Sequence, residues 1–564
     1  MEKETCPFVP NTLLGLAGGI QYRKLKKASQ DPKKSSAETL RSILRYAEHS
    51  EYGKEHHFSD ILQAKTDDEL FALYQKNVPL NNYEDLKPYI DKHRNGGENI
   101  LFPGKPTIYA TTSGTTNEPK WIPITPKYME DVYGKMTKVW LYNFIMNRPK
   151  VFTGKILSIV GKTKEGEAPD GTFFGSVSGV TQQNCPGFVK KLYTCPFSVY
   201  SIEDYTARYY VLMRTAIEHN VTLIVTANPS TVVELRNNVN VFFDDYCNDI
   251  EKGTIKADLK IPDWIREDIQ KTLKPNPERA KELRELKAKY GTVLPKHYWP
   301  NIQILNTWKC GNTKVYLDKF KGAFPDTMLH QEFGYFSSEC RFGLVLDDTN
   351  NTVLFPHLHY YEFVAEEELE SENKHFLQLH ELQKGKRYCP YVTTFAGLYR
   401  YNMNDLLEAS DKFENTPTVF MIQKVNGIVT MTGEKLHERQ FIEAVRRVEK
   451  SMQTPLAFFI GFAVLEESTY HFYLEFADQS TSQEVADEFV KNVDKELMTI
   501  NVEYKAKRES FRVKDPVAHR LVKQSFEQFK EECIKEGKRD GQFKILLLMQ
   551  DEARHEKFKK LILK

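Results

Sequence analysis

Residues 221–235 read VTLIVTANPSTVVEL. Val221 to Ala227 is a short apolar stretch rich in β-branched residues, of a length and composition that suit a strand buried on both faces. It passes directly into Asn228-Pro-Ser-Thr and then a helical spacing through Val232 and Leu235. Strand, turn and capped helix in immediate succession predict an α/β domain with some parallel sheet. Ile156 to Gly161 and Ile302 to Trp308 have the same strand character. The first hundred residues read as helical, with Ser36 as N-cap of the segment that follows it, and Lys256 to Tyr290 reads as an exposed helical pair. The pattern changes near Gln423 to Gly433. A hairpin is expected over Ala457 to Val464 and Tyr470 to Phe476. Amphipathic helices are expected over Ser482 to Met498 and Pro516 to Glu536, then a late strand over Gln542 to Leu548. The expectation is a large α/β domain over 1–425, with mixed sheets and helices, and a smaller α+β domain over 426–564.

Composition narrows the function. Of 564 residues, 40% are hydrophobic and 27% charged, as in folded globular chains. Lys plus Arg number 78 against 77 for Asp plus Glu, a balance that argues against nucleic acid as the partner. The basic stretches Arg23 to Lys27 and Lys557 to Lys560 read as solvated faces. The eight cysteines include no C-x-x-C pair, which argues against a zinc site or a disulfide framework. Leu13 to Ile20 is too short to span a membrane and lacks the basic flank of a secretion signal. A cytosolic, monomeric protein with small-molecule partners and no membrane partner is the expectation.

Three stretches carry candidate chemistry. In Tyr109 to Thr125, YATTSGTTNEPKWIPIT, five hydroxyls surround one glycine and Lys120 follows. Backbone N–H groups beside Gly114 with the flanking hydroxyls suit a phosphate, and Lys120 suits its outer charge; a Ser/Thr-rich surface turn is the alternative. Gly334-Tyr-Phe-Ser-Ser-Glu-Cys340 sets serines beside a carboxylate, a pattern for a nucleotide with Mg²⁺ or for a solvated strand end. Gly397-Leu-Tyr-Arg-Tyr-Asn-Met-Asn-Asp405 ends in an acid that suits two ribose hydroxyls, or a turn.

Together, their order and spacing resemble the adenylate-forming, firefly-luciferase-like enzymes, and within them the Gretchen Hagen family of acyl-acid amido synthetases. Thr112, Ser113, Gly114, Thr115 and Thr116 match that family's phosphate loop, with Lys120 and Pro123 behind it. Tyr335-Phe-Ser-Ser-Glu-Cys is similar to its Tyr-Gly-Ser-Ser-Glu-Cys, and Ala396-Gly-Leu-Tyr-Arg-Tyr to the approach to its Tyr-Arg-Val-Gly-Asp. Val78-Pro-Leu, Tyr83-Glu-Asp, Asn228-Pro-Ser-Thr, Tyr298-Trp-Pro-Asn and Tyr360-Tyr-Glu-Phe agree as well. The resemblance implies an ATP- and Mg²⁺-dependent ligase that adenylates a small carboxylic acid and passes the acyl group to an amine, usually that of an amino acid. It implies Thr112 to Thr116, Lys120, Ser337, Ser338 and Asp405 toward ATP and Glu339 toward Mg²⁺. Tyr335 and Arg341 fall toward the acyl substrate. By the same resemblance Lys435, in Thr432-Gly-Glu-Lys-Leu, and Lys544, in Gln542-Phe-Lys-Ile, would be the catalytic lysines of a mobile second domain, solvated surface lysines being the alternative.

The sequence departs from the family at three places. Asn402-Met-Asn-Asp405 stands for Arg-Val-Gly-Asp, so Asn404 must take any positive φ a glycine would serve, and the charge lost at 402 leaves Arg400 nearby. Phe336 replaces a small residue and crowds the adenine or acyl side. Arg341 stands where plant members often carry Tyr; lining a pocket, it would favour an acidic acyl group. A catalytically inactive relative that binds a nucleotide or small acid and acts in regulation is the alternative, and an acyl-CoA ligase on the same scaffold a third.

Overall fold

The computed structural model describes residues 8–112, 120–310, 317, 319–369, 371–425, 428–525, 528–529 and 546–563. They divide into two compact units, one of residues up to 111 with 121–423, the other of residues 112 and 120 with those from 424 onward.

At the centre of the first unit lies a four-stranded sheet, Lys155–Ser158, Val221–Val225, Ile304–Thr307 and Leu329–Glu332, parallel throughout and ordered as in the chain. All five residues of Val221–Val225 are buried, as the apolar pattern requires of an inner parallel strand. Asn228 caps the helix Pro229–Val241, its side-chain oxygen accepting from the N–H of Ser230 at 2.9 Å, and Pro229 occupies the first helical position. The expected charged helical pair is Asp263–Gln270 and Pro277–Tyr290. An eight-stranded, largely antiparallel sheet follows in the chain; its strand Asp405–Phe413 pairs with Arg387–Thr393. A third sheet contains Ile108–Thr112 and Lys120–Ile124, which flank residues 113–119.

The helix attributed to a Ser36 cap starts earlier. Asp31 caps Pro32–Ala47 by accepting from the N–H of Lys34 at 3.1 Å, and Ser36 is buried inside the helix. Proline at the first position presets φ and sacrifices no hydrogen bond, so Asp-Pro outcompetes the later serine.

In the second unit the expected hairpin is Leu456–Val464 with Thr469–Phe476. Val517–Arg520 and Leu548–Met549 add parallel strands on either side. The helix expected from Pro516 is therefore wrong at its start: His471 to Leu474 pair with Val517 to Arg520. The expected helix at Ser482 runs from Gln483 to Ile500 behind a Ser482 cap. Of the late strand, Leu548 and Met549 are described, while 542–545 lie outside the described residues. No described helix is long and apolar enough to cross a membrane.

Candidate active site

The carboxyl edge of the parallel sheet ends in a built turn. Glu332 closes the last strand, and its buried carboxylate accepts from the N–H groups of Lys309, of Cys310 at 3.0 Å and of Gly334 at 3.1 Å. Burial pushes this carboxyl up, and the three N–H donors oppose it. Glu332 thereby ties the end of one strand to the start of the next loop. Gly334 sits at φ +106°, where an added Cβ would lie 2.7 Å from the Gly343 oxygen. Only glycine fits there.

Beyond Gly334 the motif residues meet. The Tyr335 ring is buried against Phe342, centroids 4.5 Å apart, and its hydroxyl donates to Asp405 Oδ2 at 2.5 Å. Burial and the adjacent Asp405 carboxylate hold the phenol well above its ordinary range, so it remains a donor. The N–H of Ser337 donates to the Cys340 oxygen at 2.8 Å, and Ser337 Oγ accepts from the N–H of Glu339 at 3.2 Å. This turn places Ser337 and Ser338 half-buried and Glu339 buried. Burial, and then the charge of Glu339, push the Tyr401 phenol up.

The Asn402 to Asp405 departure has a structural explanation. Asn404 adopts φ +53°, the left-handed region, and its N–H donates to Asn402 Oδ1 at 2.8 Å. Asparagine supplies here the backbone freedom that glycine offers at lower cost. Arg400 does not make up for the charge absent at 402. It is 4% exposed, pairs with Glu362 at 3.0 Å and donates to the Gln75 and Val78 oxygens at 2.9 and 3.1 Å. It is a strut between the sheet and an early helix.

Phe336 packs against Trp308 and Phe333, centroids 5.1 and 4.6 Å away, and Phe333 lies on Trp140 at 5.4 Å. Arg341, buried, donates from Nη1 to Thr137 Oγ1 at 2.8 Å and lies over the rings of Tyr133 and Trp140. Tyr133 lies in a π-helical turn, Tyr128–Gly134, that leads into the helix Lys135–Asn147; such turns recur at functional sites. Tyr335, Ser337, Ser338, Glu339, Arg341 and Asp405 are thus neighbours through the turn and the Tyr335 to Asp405 bond.

The remaining candidates lie on other elements. Thr112 closes one strand and Lys120 opens the next, and Ser113, Gly114, Thr115 and Thr116 lie outside the described residues, as does Lys544. Lys435 belongs to the second unit, where its N–H donates to Glu503 Oε2 at 3.1 Å and its oxygen accepts from Asn501 at 2.8 Å. The organiser there is Glu434, which the sequence reading passed over. Its buried carboxylate accepts from the N–H groups of Met431 and Thr432, the Thr432 hydroxyl and the Tyr470 hydroxyl, all within 3.0 Å. The acid beside Gly433, at φ +99°, was the available signal. Among the described residues no group of three or more His, Cys, Asp and Glu side chains could hold a metal.

A large α/β unit with its motif residues gathered beyond the carboxyl ends of parallel strands has the architecture of a ligand-binding α/β enzyme. The chain belongs to the GH3 family: its N-terminal, central and C-terminal domain models match residues 21–329, 352–424 and 439–553. It is similar to the indole-3-acetic acid-amido synthetase GH3.3 of Arabidopsis thaliana, 24% identical over 90% of this chain and 87% of that protein. It is also similar to the 4-substituted benzoates-glutamate ligase GH3.12 of the same plant, 24% identical over 84% and 86%. The jasmonoyl-L-amino acid synthetase GH3.5 of Oryza sativa subsp. japonica is 25% identical over 75% and 76%. A solved GH3.15 acyl acid amido synthetase superposes with TM-score 0.63 at 20% identity, covering 96% of this chain and 95% of the other, and so shares the fold.

Proposed function

We propose that this GH3 chain is an ATP-dependent acyl-acid amido synthetase. A carboxylate oxygen of a small acid attacks the α-phosphorus of ATP and pyrophosphate departs. The nitrogen of an amino acid then attacks the acyl carbon, loses a proton and expels AMP, leaving an amide. Adenylation replaces a poor leaving group by a good one, so the protein's work is alignment and charge neutralisation. The names of the relatives, acid–amino acid synthetases across plant hormones and benzoates, support the reaction class.

The single observation behind the site assignment is the Tyr335 to Asp405 hydrogen bond, which joins two motifs 70 residues apart. In this reading Asp405 holds the ribose hydroxyls, with Tyr335 fixing its orientation. Ser337 and Ser338 lie along the nucleotide, and Thr112 to Thr116 with Lys120 take the phosphates. Lys435 and Lys544 are the catalytic lysines of this reading. A buried Glu339 with no cluster of three or more metal-binding side chains among the described residues fits Mg²⁺, which keeps most of its sphere for water and phosphate oxygens. Bound there, Mg²⁺ would neutralise phosphate charge. The balanced charge and scattered cysteines suit a cytosolic enzyme.

The test is exchange of labelled pyrophosphate into ATP across a panel of carboxylic acids, followed by AMP release with amino acids or coenzyme A. Acid-dependent exchange with amino-acid-dependent AMP release is expected. Binding of ATP without exchange for any acid would make the chain a nucleotide-binding relative, and release with coenzyme A alone would make it a thioester ligase.

A further inference from the structure

Four arginines are buried among the described residues: Arg214, Arg279, Arg341 and Arg400. Three have a carboxylate. Arg214 pairs with Glu218 at 2.8 Å, Arg279 with Glu282 at 2.8 Å and Arg400 with Glu362 at 3.0 Å. Arg341, 5% exposed, pairs with none among the described residues. The bond to Thr137 is its one side-chain hydrogen bond, and Nε and Nη2 meet no acceptor. Its other partners are the faces of Tyr133 and Trp140, with the guanidinium carbon 5.3 and 5.8 Å from the ring centroids. Aromatic faces attract a guanidinium but do not replace a counter-ion out of water.

The charge is also held in place. The N–H of Arg341 donates to the Tyr128 hydroxyl at 3.0 Å, and its oxygen accepts from His359 Nε2 at 2.9 Å. Burial lowers the guanidinium below its ordinary range and lowers His359 to about 3, so the histidine is neutral and repels nothing. From Trp140, rings continue through Phe333 and Phe336 to Trp308 at successive centroid distances of 5.4, 4.6 and 5.1 Å. An apolar wall thus runs from the cation to the turn that carries Ser337 and Glu339.

We propose that Arg341 binds a second, unreactive carboxylate of the acyl substrate, so that the preferred acids are dicarboxylates with an apolar or aromatic body. This rests on the ligase reading and names its substrate class. The reacting carboxylate is the poorer partner, because it loses its charge on becoming the acyl part of the mixed anhydride with AMP and would strand the buried cation in the intermediate. A second carboxylate keeps its charge through both half-reactions, and a guanidinium offers it two parallel N–H donors.

Matched acids test this: benzoate with benzene-1,4-dicarboxylate, phenylacetate with 4-carboxyphenylacetate, and octanoate with octanedioate. Binding to the full chain is measured by calorimetry in the presence of a non-hydrolysable ATP analogue, and turnover by pyrophosphate exchange. In at least one pair the diacid is expected to bind ten times or more tighter. Arg341→Gln should erase that preference, losing at least tenfold on the diacid and less than threefold on the monoacid. Thr137→Val, which frees the guanidinium from its anchor, should lose part of it and serves if Arg341→Gln fails to fold. Monoacids binding as well as diacids in every pair, or Arg341→Gln weakening both alike, would overturn the proposal. A diacid preference in binding with no exchange would uphold it while defeating the ligase reading, and exchange with monoacids but no preference would do the reverse.

Discussion

Asp405→Ala is expected to weaken ATP binding and to abolish discrimination between ribose and deoxyribose nucleotides. A carboxylate offers about four acceptor positions, and Tyr335 takes one of them at 2.5 Å. Two vicinal ribose hydroxyls would take two more. Hydrogen bonds to a charged group contribute ~1.5–3 kcal/mol each. Two that share one carboxylate are less than additive, so a total near 3 kcal/mol, or about 100-fold in Kd, is the working magnitude. The substitution also strands the buried Tyr335 hydroxyl, costing ~1–3 kcal/mol of stability. Adding Tyr335→Phe to Asp405→Ala should restore part of that stability and none of the affinity. Calorimetry with ATP, 2′-deoxy-ATP and 3′-deoxy-ATP separates the two effects. The native chain should prefer ATP by about tenfold or more, one charged hydrogen bond's worth. The variant should bind all three within about twofold, having lost the group that tells them apart. Unchanged ATP affinity, or discrimination that survives in the variant, would refute the ribose assignment.

Arg400→Met leaves Glu362 buried without its partner and should cost about 3–5 kcal/mol in urea unfolding; a loss below about 1 kcal/mol would show that the pair is no strut. Asn404→Ala should destabilise by about 1–2 kcal/mol because alanine resists the left-handed region. Asn404→Gly should stay within about 0.5 kcal/mol, and equal melting points for the two would contradict the turn argument. His359 is held at about 3 by burial against an ordinary value of 6.5. Between these values the unfolded chain binds a proton that the folded chain refuses. The stability is therefore complete above pH 6.5 and falls with acid by ~1.4 kcal/mol per pH unit for this group. His359→Gln should reduce the pH slope of unfolding below pH 6 by one proton, and an unaltered slope would show that His359 is not the group responsible.

Much of the fold was legible because its signals are local. Val221 to Ala227, Ile156 to Gly161 and Ile302 to Trp308 are short, mainly apolar stretches because the strands of a parallel sheet are covered on both faces. Asn228-Pro declares a helix start within two residues. Where local signals competed or ran short, the reading failed: Asp31-Pro32 displaced Ser36, and Val517–Arg520 is too short a strand to display a period. The site was legible as three motifs but not as a surface. Glu332, Glu362 and Glu434 look in the sequence like any solvated acid, since at least one donor that makes each acceptable inside comes from a distant segment.

What the residues alone determined, then, is the run of parallel strands, the capped helix after Asn228, and the chemical types placed at 112–120, 335–341 and 405. Only the tertiary structure decided which charges are matched. Arg400 and Arg341 are alike as letters, yet one meets Glu362 and the other meets Thr137, 204 positions away, between two aromatic rings. The cost of a buried charge depends on what surrounds it in space, and that is settled only when segments far apart in the chain pack together.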